Sequence, residues 1–194
     1  MRVKHSFDMV HGTQEVFRRF LEALANPGRP VSSLRWNAQF SEYGQWLAPA
    51  AAFLDNETGF FWDGPAEVGE EIRFLSGAVP VPLPEADFVF LSQTTGAEDI
   101  LSQVKSGAHR DPHNSALLLI SSDFSEKQRP VPVTLKGPGV PPEGRTVDLS
   151  PTELSWVKAR NKRNFEYPCG VEMVFLRKDS LLALTRKAAA AWPM

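Results

Sequence analysis

The seven residues Ser115 to Ser121 read Ser-Ala-Leu-Leu-Leu-Ile-Ser, an apolar run with no polar alternation. A run this short fits a strand rather than a helix, and a strand with no polar face must be covered on both sides. Only a layered fold supplies that cover. The rest of the chain provides the layers, because strand-like and helix-like segments alternate along it.

The first helix is expected over residues 13–25, capped by Thr13, with Val16, Phe17, Phe20, Leu21 and Leu24 on one apolar stripe and Asn26-Pro27-Gly28 as its stop. Val31 to Trp36 reads as a strand, Trp46 to Leu54 as a helix and Thr58 to Trp62 as a strand. Asp63 is placed to cap a helix that runs to Leu75 and stops at Gly77. Val79 to Pro84 is extended and Asp87 to Leu91 is a strand. Thr95-Gly96-Ala97-Glu98 forms a capping box for a helix ending near Gly107. Val131 to Lys136 is a strand leading into the turn Gly137-Pro138-Gly139.

Ser150-Pro151-Thr152-Glu153 is the strongest local signal, with Ser as cap, Pro at the first helical position and Glu at the third. Its helix is expected to reach Asn164. Val171 to Leu176 and Leu181 to Leu184 close the chain as a strand pair, and Arg186 to Trp192 reads as helical. The expected fold is one α/β domain over residues 1–194, with a mixed β-sheet flanked by helices in a layered sandwich.

Charge narrows the function. The net charge of −2 provides no overall field for nucleic acid or an anionic membrane. Residues 1–150 hold 13 basic and 19 acidic groups, whereas residues 151–194 hold 8 basic and 4 acidic groups. That basic quarter either meets an acidic partner or an anionic ligand, or is the solvated face of a helix. Arg160, Arg163 and Arg186 are its candidates for an anion or partner contact. Gly137 and Gly139 are the other candidates, since a glycine turn can present backbone amides to an anion. Pro138 between them donates no amide, and a plain tight turn explains the same residues.

Other chemistry is poorly supported. The one cysteine, Cys169, excludes an intrachain disulfide and a cysteine-built zinc site, and suits a reducing cytoplasm. No apolar run follows the basic N-terminus as in a secretory leader, and none has the length of a membrane span. His109 and His113 lie four apart, but Pro112 between them argues for a loop rather than a helical metal site. Ser102 with Lys105, and Ser155 with Lys158, have a spacing used by serine acyl-enzymes, yet both fall inside helices as ordinary surface neighbours. No glycine-rich nucleotide cradle and no nucleophile elbow is present. No catalytic residue, metal site or cofactor site is expected.

The order of several segments resembles the PhnH family. These are Phe17 to Gly28, Leu54 to Thr58 with Phe61-Trp62, Ile72 to Pro80, Ala86 to Leu91, Leu135 to Val140, Tyr167 to Glu172 and Leu181 to Arg186. Thr185 stands where the family often has proline, Cys169 where leucine is common, and residues 107–114 diverge. The resemblance implies a fold similar to the large domain of pyridoxal-phosphate-dependent aminotransferases, without that cofactor. It implies a cytoplasmic homodimer that joins PhnG, PhnI and PhnJ in the carbon–phosphorus lyase core complex. It implies an accessory part in converting alkylphosphonate and ATP to a ribose 1-alkylphosphonate 5-triphosphate and adenine, ahead of radical carbon–phosphorus cleavage in PhnJ. An alternative is a subunit that binds a nucleotide or phosphonate in a cleft at a homodimer interface.

Overall fold

The computed structural model describes residues 6–33, 36–40, 43–92, 96–122 and 129–191. In chain order the first elements are α1 (His11–Ala25), β1 (Val31–Ser32), α2 (Trp36–Phe40), α3 (Gly44–Phe53) and β2 (Gly59–Trp62). Next come α4 (Ala66–Ser76), β3 (Val79–Pro80), a 3-10 turn at Leu83–Glu85, β4 (Phe88–Leu91), α5 (Ala97–Gln103) and β5 (Leu117–Ser121). The chain continues as β6 (Val131–Lys136), β7 (Arg145–Leu149), α6 (Pro151–Arg163), β8 (Glu172–Leu176), β9 (Ser180–Leu184) and β10 (Ala189–Ala191).

Among the described residues, seven strands form one sheet in the order β1-β9-β8-β5-β4-β2-β3. The pairs β8–β5, β5–β4, β4–β2 and β2–β3 are parallel, while β9 runs antiparallel to both β8 and β1. The all-apolar run is β5, at the middle of this sheet. Leu118, Leu119 and Ile120 have no exposed surface. Side chains alternate strictly between two apolar clusters, as the pleat requires. Phe90, Leu119, Val174 and Ala183 point to one cluster, with residues of α1, α2, α3 and α4. Val89, Leu118, Ile120, Met173, Phe175 and Leu182 point to the other, with residues of α5, α6, β6 and β7. Each such fully buried large apolar side chain contributes about 1.5–3 kcal/mol.

A second, antiparallel sheet in the order β10-β6-β7 lies on the α5–α6 side, so that side combines helices with a small sheet. Two of its strands are not expected from the sequence, which marks no element over β7. β10 corrects the helix expected over Arg186 to Trp192: Ala189, Ala190 and Ala191 pair with Lys136, Leu135 and Thr134.

Several boundaries also move. The α1 helix starts at His11, and its first amides are capped by Asp8 rather than Thr13: the N–H groups of Val10 and His11 donate to the Asp8 carboxylate at 2.8 and 3.0 Å. The His11 amide is the largest of the influences that hold the Asp8 carboxyl below its ordinary value, followed by the Val10 amide. The strand expected to reach Trp36 ends at Ser32, and Trp36 opens α2. Asp63 does not cap α4. It accepts the backbone N–H and the hydroxyl of Ser92 at 2.5 and 2.8 Å, tying the ends of β2 and β4 together. Gly77 does stop α4, in the left-handed region at φ 76°. The helix expected to end near Gly107 stops at Gln103. Thr95 of its capping box lies outside the described residues. Among the described residues no helix is long and apolar enough to cross a membrane.

Candidate functional site

The basic C-terminal quarter converges where α6 ends, β8 begins and β9 hands over to β10. The α6 capping box forms: Ser150 Oγ accepts from the Glu153 amide at 3.1 Å, and Glu153 Oε2 accepts from the Ser150 amide at 2.9 Å. At the other end Asn164 adopts the left-handed conformation at φ 47° and its N–H returns to the Arg160 carbonyl. The last turn carries Arg160, Lys162 and Arg163, which suits the negative end of the helix dipole.

Arg160 is only 6% exposed. Its Nη1 donates to the Thr185 carbonyl at 3.0 Å and its Nη2 to the Ala188 carbonyl at 2.5 Å, so it holds the turn between β9 and β10 from beneath. Burial pushes its pKa down to about 10, with Glu172 acting in the opposite direction. Arg186, in that same turn, donates its backbone N–H and its Nε to the two carboxylate oxygens of Glu172, both at 2.8 Å. Its Nη1 reaches the Pro112 carbonyl at 2.6 Å. Lys187 donates to the Tyr167 hydroxyl at 3.0 Å, and that bond holds the exposed phenol below its ordinary pKa.

These groups line a cavity of about 270 Å³ whose walls include Arg160, Asn161, Asn164, Phe165, Arg186 and Lys187. An adjoining cavity of about 290 Å³ shares Arg186 and Lys187 and adds Gly139, Glu172 and Thr185. The structure therefore places Arg160 and Arg186 on one cavity and Gly139 on its neighbour. Arg163 is exposed and does not line either one. Its guanidinium lies 5.1 Å from the ring centroid of Phe165, which does. Asn161, Asn164, Lys187 and Glu172 did not stand out in the sequence. The adjacency of Arg186 and Lys187 was their one visible sign.

Gly137 has a packing reason to be glycine. It sits at φ 133°, and a Cβ there would lie 2.6 Å from the Lys187 carbonyl oxygen. The β6–β7 turn can thus press directly against the backbone before β10. A Gly137→Ala substitution is expected to lower stability by about 1–3 kcal/mol. Thermal unfolding followed by circular dichroism measures it, and an unchanged midpoint would show that this contact relaxes freely.

The remaining candidates are dispersed. His109 Nε2 lies 3.5 Å from Glu166 Oε1 with both side chains exposed, and His113 is exposed in the same loop. Among the described residues no group of three or more His, Cys, Asp or Glu side chains is placed to hold a metal. Ser102 Oγ and Ser155 Oγ donate to the backbone carbonyls of Asp99 and Thr152 within their own helices. Lys105 is directed instead to Asp87 Oδ1 at 2.7 Å.

A second polar cluster lies at the opposite end of β8. Glu153 is fully buried, and Arg177 donates to it through Nε and Nη2, both at 2.7 Å. The Ser122 hydroxyl adds a bond of 2.6 Å. The capping box had marked Glu153, but nothing in the sequence marked Arg177 as its partner.

A family model described as bacterial phosphonate metabolism protein (PhnH) matches residues 5–190 of the chain. No curated protein matches it.

Proposed function

The chain belongs to the PhnH family of bacterial phosphonate metabolism proteins, and from that premise we propose that it is a non-catalytic subunit of the carbon–phosphorus lyase core complex. In this reading it assembles with PhnG, PhnI and PhnJ as a homodimeric, cytoplasmic component. It is needed for the step in which an alkylphosphonate displaces adenine from ATP to give a ribose 1-alkylphosphonate 5-triphosphate. Its sheet is proposed to be similar to that of the large domain of pyridoxal-phosphate-dependent aminotransferases, with no use of the cofactor.

The observation that carries the reading is the family match over nearly the whole chain. The side-chain pairings agree with it. The serines with lysine three residues on donate to helix carbonyls rather than to those lysines, which is not how a base activates a nucleophile. The surface also keeps large apolar side chains half uncovered, among them Phe17 and Leu21 on α1, Phe74 on α4 and Tyr167. Phe17 and Leu21 lie one helical turn apart and so form a joint apolar patch, the kind of surface an assembly covers.

Co-expression with PhnG, PhnI and PhnJ followed by size-exclusion chromatography tests the proposal. The chain is expected to co-elute with them, and the isolated chain to leave ATP and alkylphosphonate unconsumed. Elution alone, or turnover by the isolated chain, contradicts it.

A further inference from the structure

We propose that the cavity at the C-terminal end of α6 binds a tetrahedral phosphoryl or phosphonyl dianion. The argument begins with charge. Arg160, Arg186 and Lys187 line the cavity and, among the described residues, no carboxylate does. Glu172, which lines the adjoining cavity, is already bound by Arg186 through two hydrogen bonds. Three cations against that one carboxylate leave two positive charges, which a dianion matches. The α6 dipole presents its negative end here, so bare backbone would repel an anion. The three cations reverse that sign.

Donor capacity points the same way. A guanidinium has five N–H groups and an ammonium three. Arg160 directs Nη1 and Nη2 to two carbonyls, and Arg186 directs Nε and Nη1 to Glu172 and Pro112. Lys187 bonds the Tyr167 hydroxyl. Each cation therefore keeps N–H groups beyond those bonds, and the carbonyl and carboxylate partners fix the two guanidinia before any ligand arrives. Such fixed donors bind an anion with little reorganisation. Asn164 adds an amide on the same wall, and Asn161 lines it too.

Size and lining set the class further. At about 270 Å³ the cavity is small beside sites for drug-sized ligands, and it exceeds what a bare tetrahedral ion needs. Phe165 supplies an apolar wall that suits a short alkyl substituent. The site requires neither a second copy nor a partner subunit, so it stands apart from the assembly reading above.

Nuclear magnetic resonance titration of the full chain tests it, with inorganic phosphate, methylphosphonate and ATP in separate arms and sodium chloride at matched ionic strength as the control. Saturable shifts are expected at the Asn161 and Asn164 side-chain amides and at Lys187, in the millimolar range or below. The arm that saturates at the lowest concentration identifies whether the source is free phosphate, a phosphonate or a nucleotide. Lys187→Ala, at an exposed position, is expected to weaken binding by about tenfold or more, and Asn161→Asp to weaken it as well. No saturable shift in any arm, or the same affinity in Lys187→Ala and Asn161→Asp, would overturn the proposal.

Discussion

An Arg177→Met substitution is expected to remove about 3–5 kcal/mol of folding free energy, the cost of leaving a buried carboxylate without its cation. Glu153 has no exposed surface, and Arg177 has 13% side-chain exposure. The guanidinium meets both carboxylate oxygens and also donates to the Asp148 carbonyl at 2.9 Å. It thereby joins the first turn of α6 to the ends of β8 and β7, while Ser122 brings in the end of β5. Without Arg177, the carboxylate keeps, among the described residues, only the Ser122 hydroxyl and the Ser150 amide. Urea denaturation of the single variant and of Glu153→Gln/Arg177→Met separates charge from packing. The double variant removes the stranded charge while a neutral amide can still accept from Ser150, so it is expected to recover most of the loss. If the double variant is as unstable as the single one, the cost lies in packing and the buried-charge account fails.

That cluster shows where local reading of a sequence ends. The capping box at Ser150 to Glu153 was legible because both partners lie three residues apart and the bonds are made by the helix itself. The same Glu153 also serves a residue 24 positions away, which no spacing rule reaches. The central strand was legible for a different reason. Its neighbours on both faces are apolar, so its own residues carry no polar alternation.

The misread segments are those whose state depends on a distant partner. Four consecutive alanines have high helix propensity, yet the last three, Ala189 to Ala191, form a strand because the β6 edge accepts them. Asp63 sits just ahead of a helix, as a cap does, but the end of β4 offers it an amide and a hydroxyl, and it bonds those instead. In the candidate site the basic excess could be counted from residues 151–194. Which cations share a wall depended on the turn after β9 lying over the end of α6, a juxtaposition of residues 25 positions apart.

Arg160→Ala is expected to destabilise the fold by about 2–5 kcal/mol, because it strands two carbonyls that the guanidinium now satisfies. Ala188 is buried, so water cannot freely replace the lost donor there. Arg160→Lys is expected to fall between the two, since one ammonium lacks the fork that spans both carbonyls. The pH dependence follows from the shift. The folded-state pKa is lowered to about 10 by burial, so the unfolded chain binds the proton more tightly than the folded one. Stability from this group therefore rises with pH only above about 10, and across roughly pH 6 to 9 both states hold the proton. The penalty of Arg160→Ala should be flat over that interval. Hydrogen exchange gives a second reading: the amides pairing β10 with β6 should lose protection in Arg160→Ala before those of the seven-stranded sheet do. Equal loss everywhere would mean that Arg160 supports the whole core rather than the turn it reaches, and no loss at all would mean that the two carbonyls find other donors.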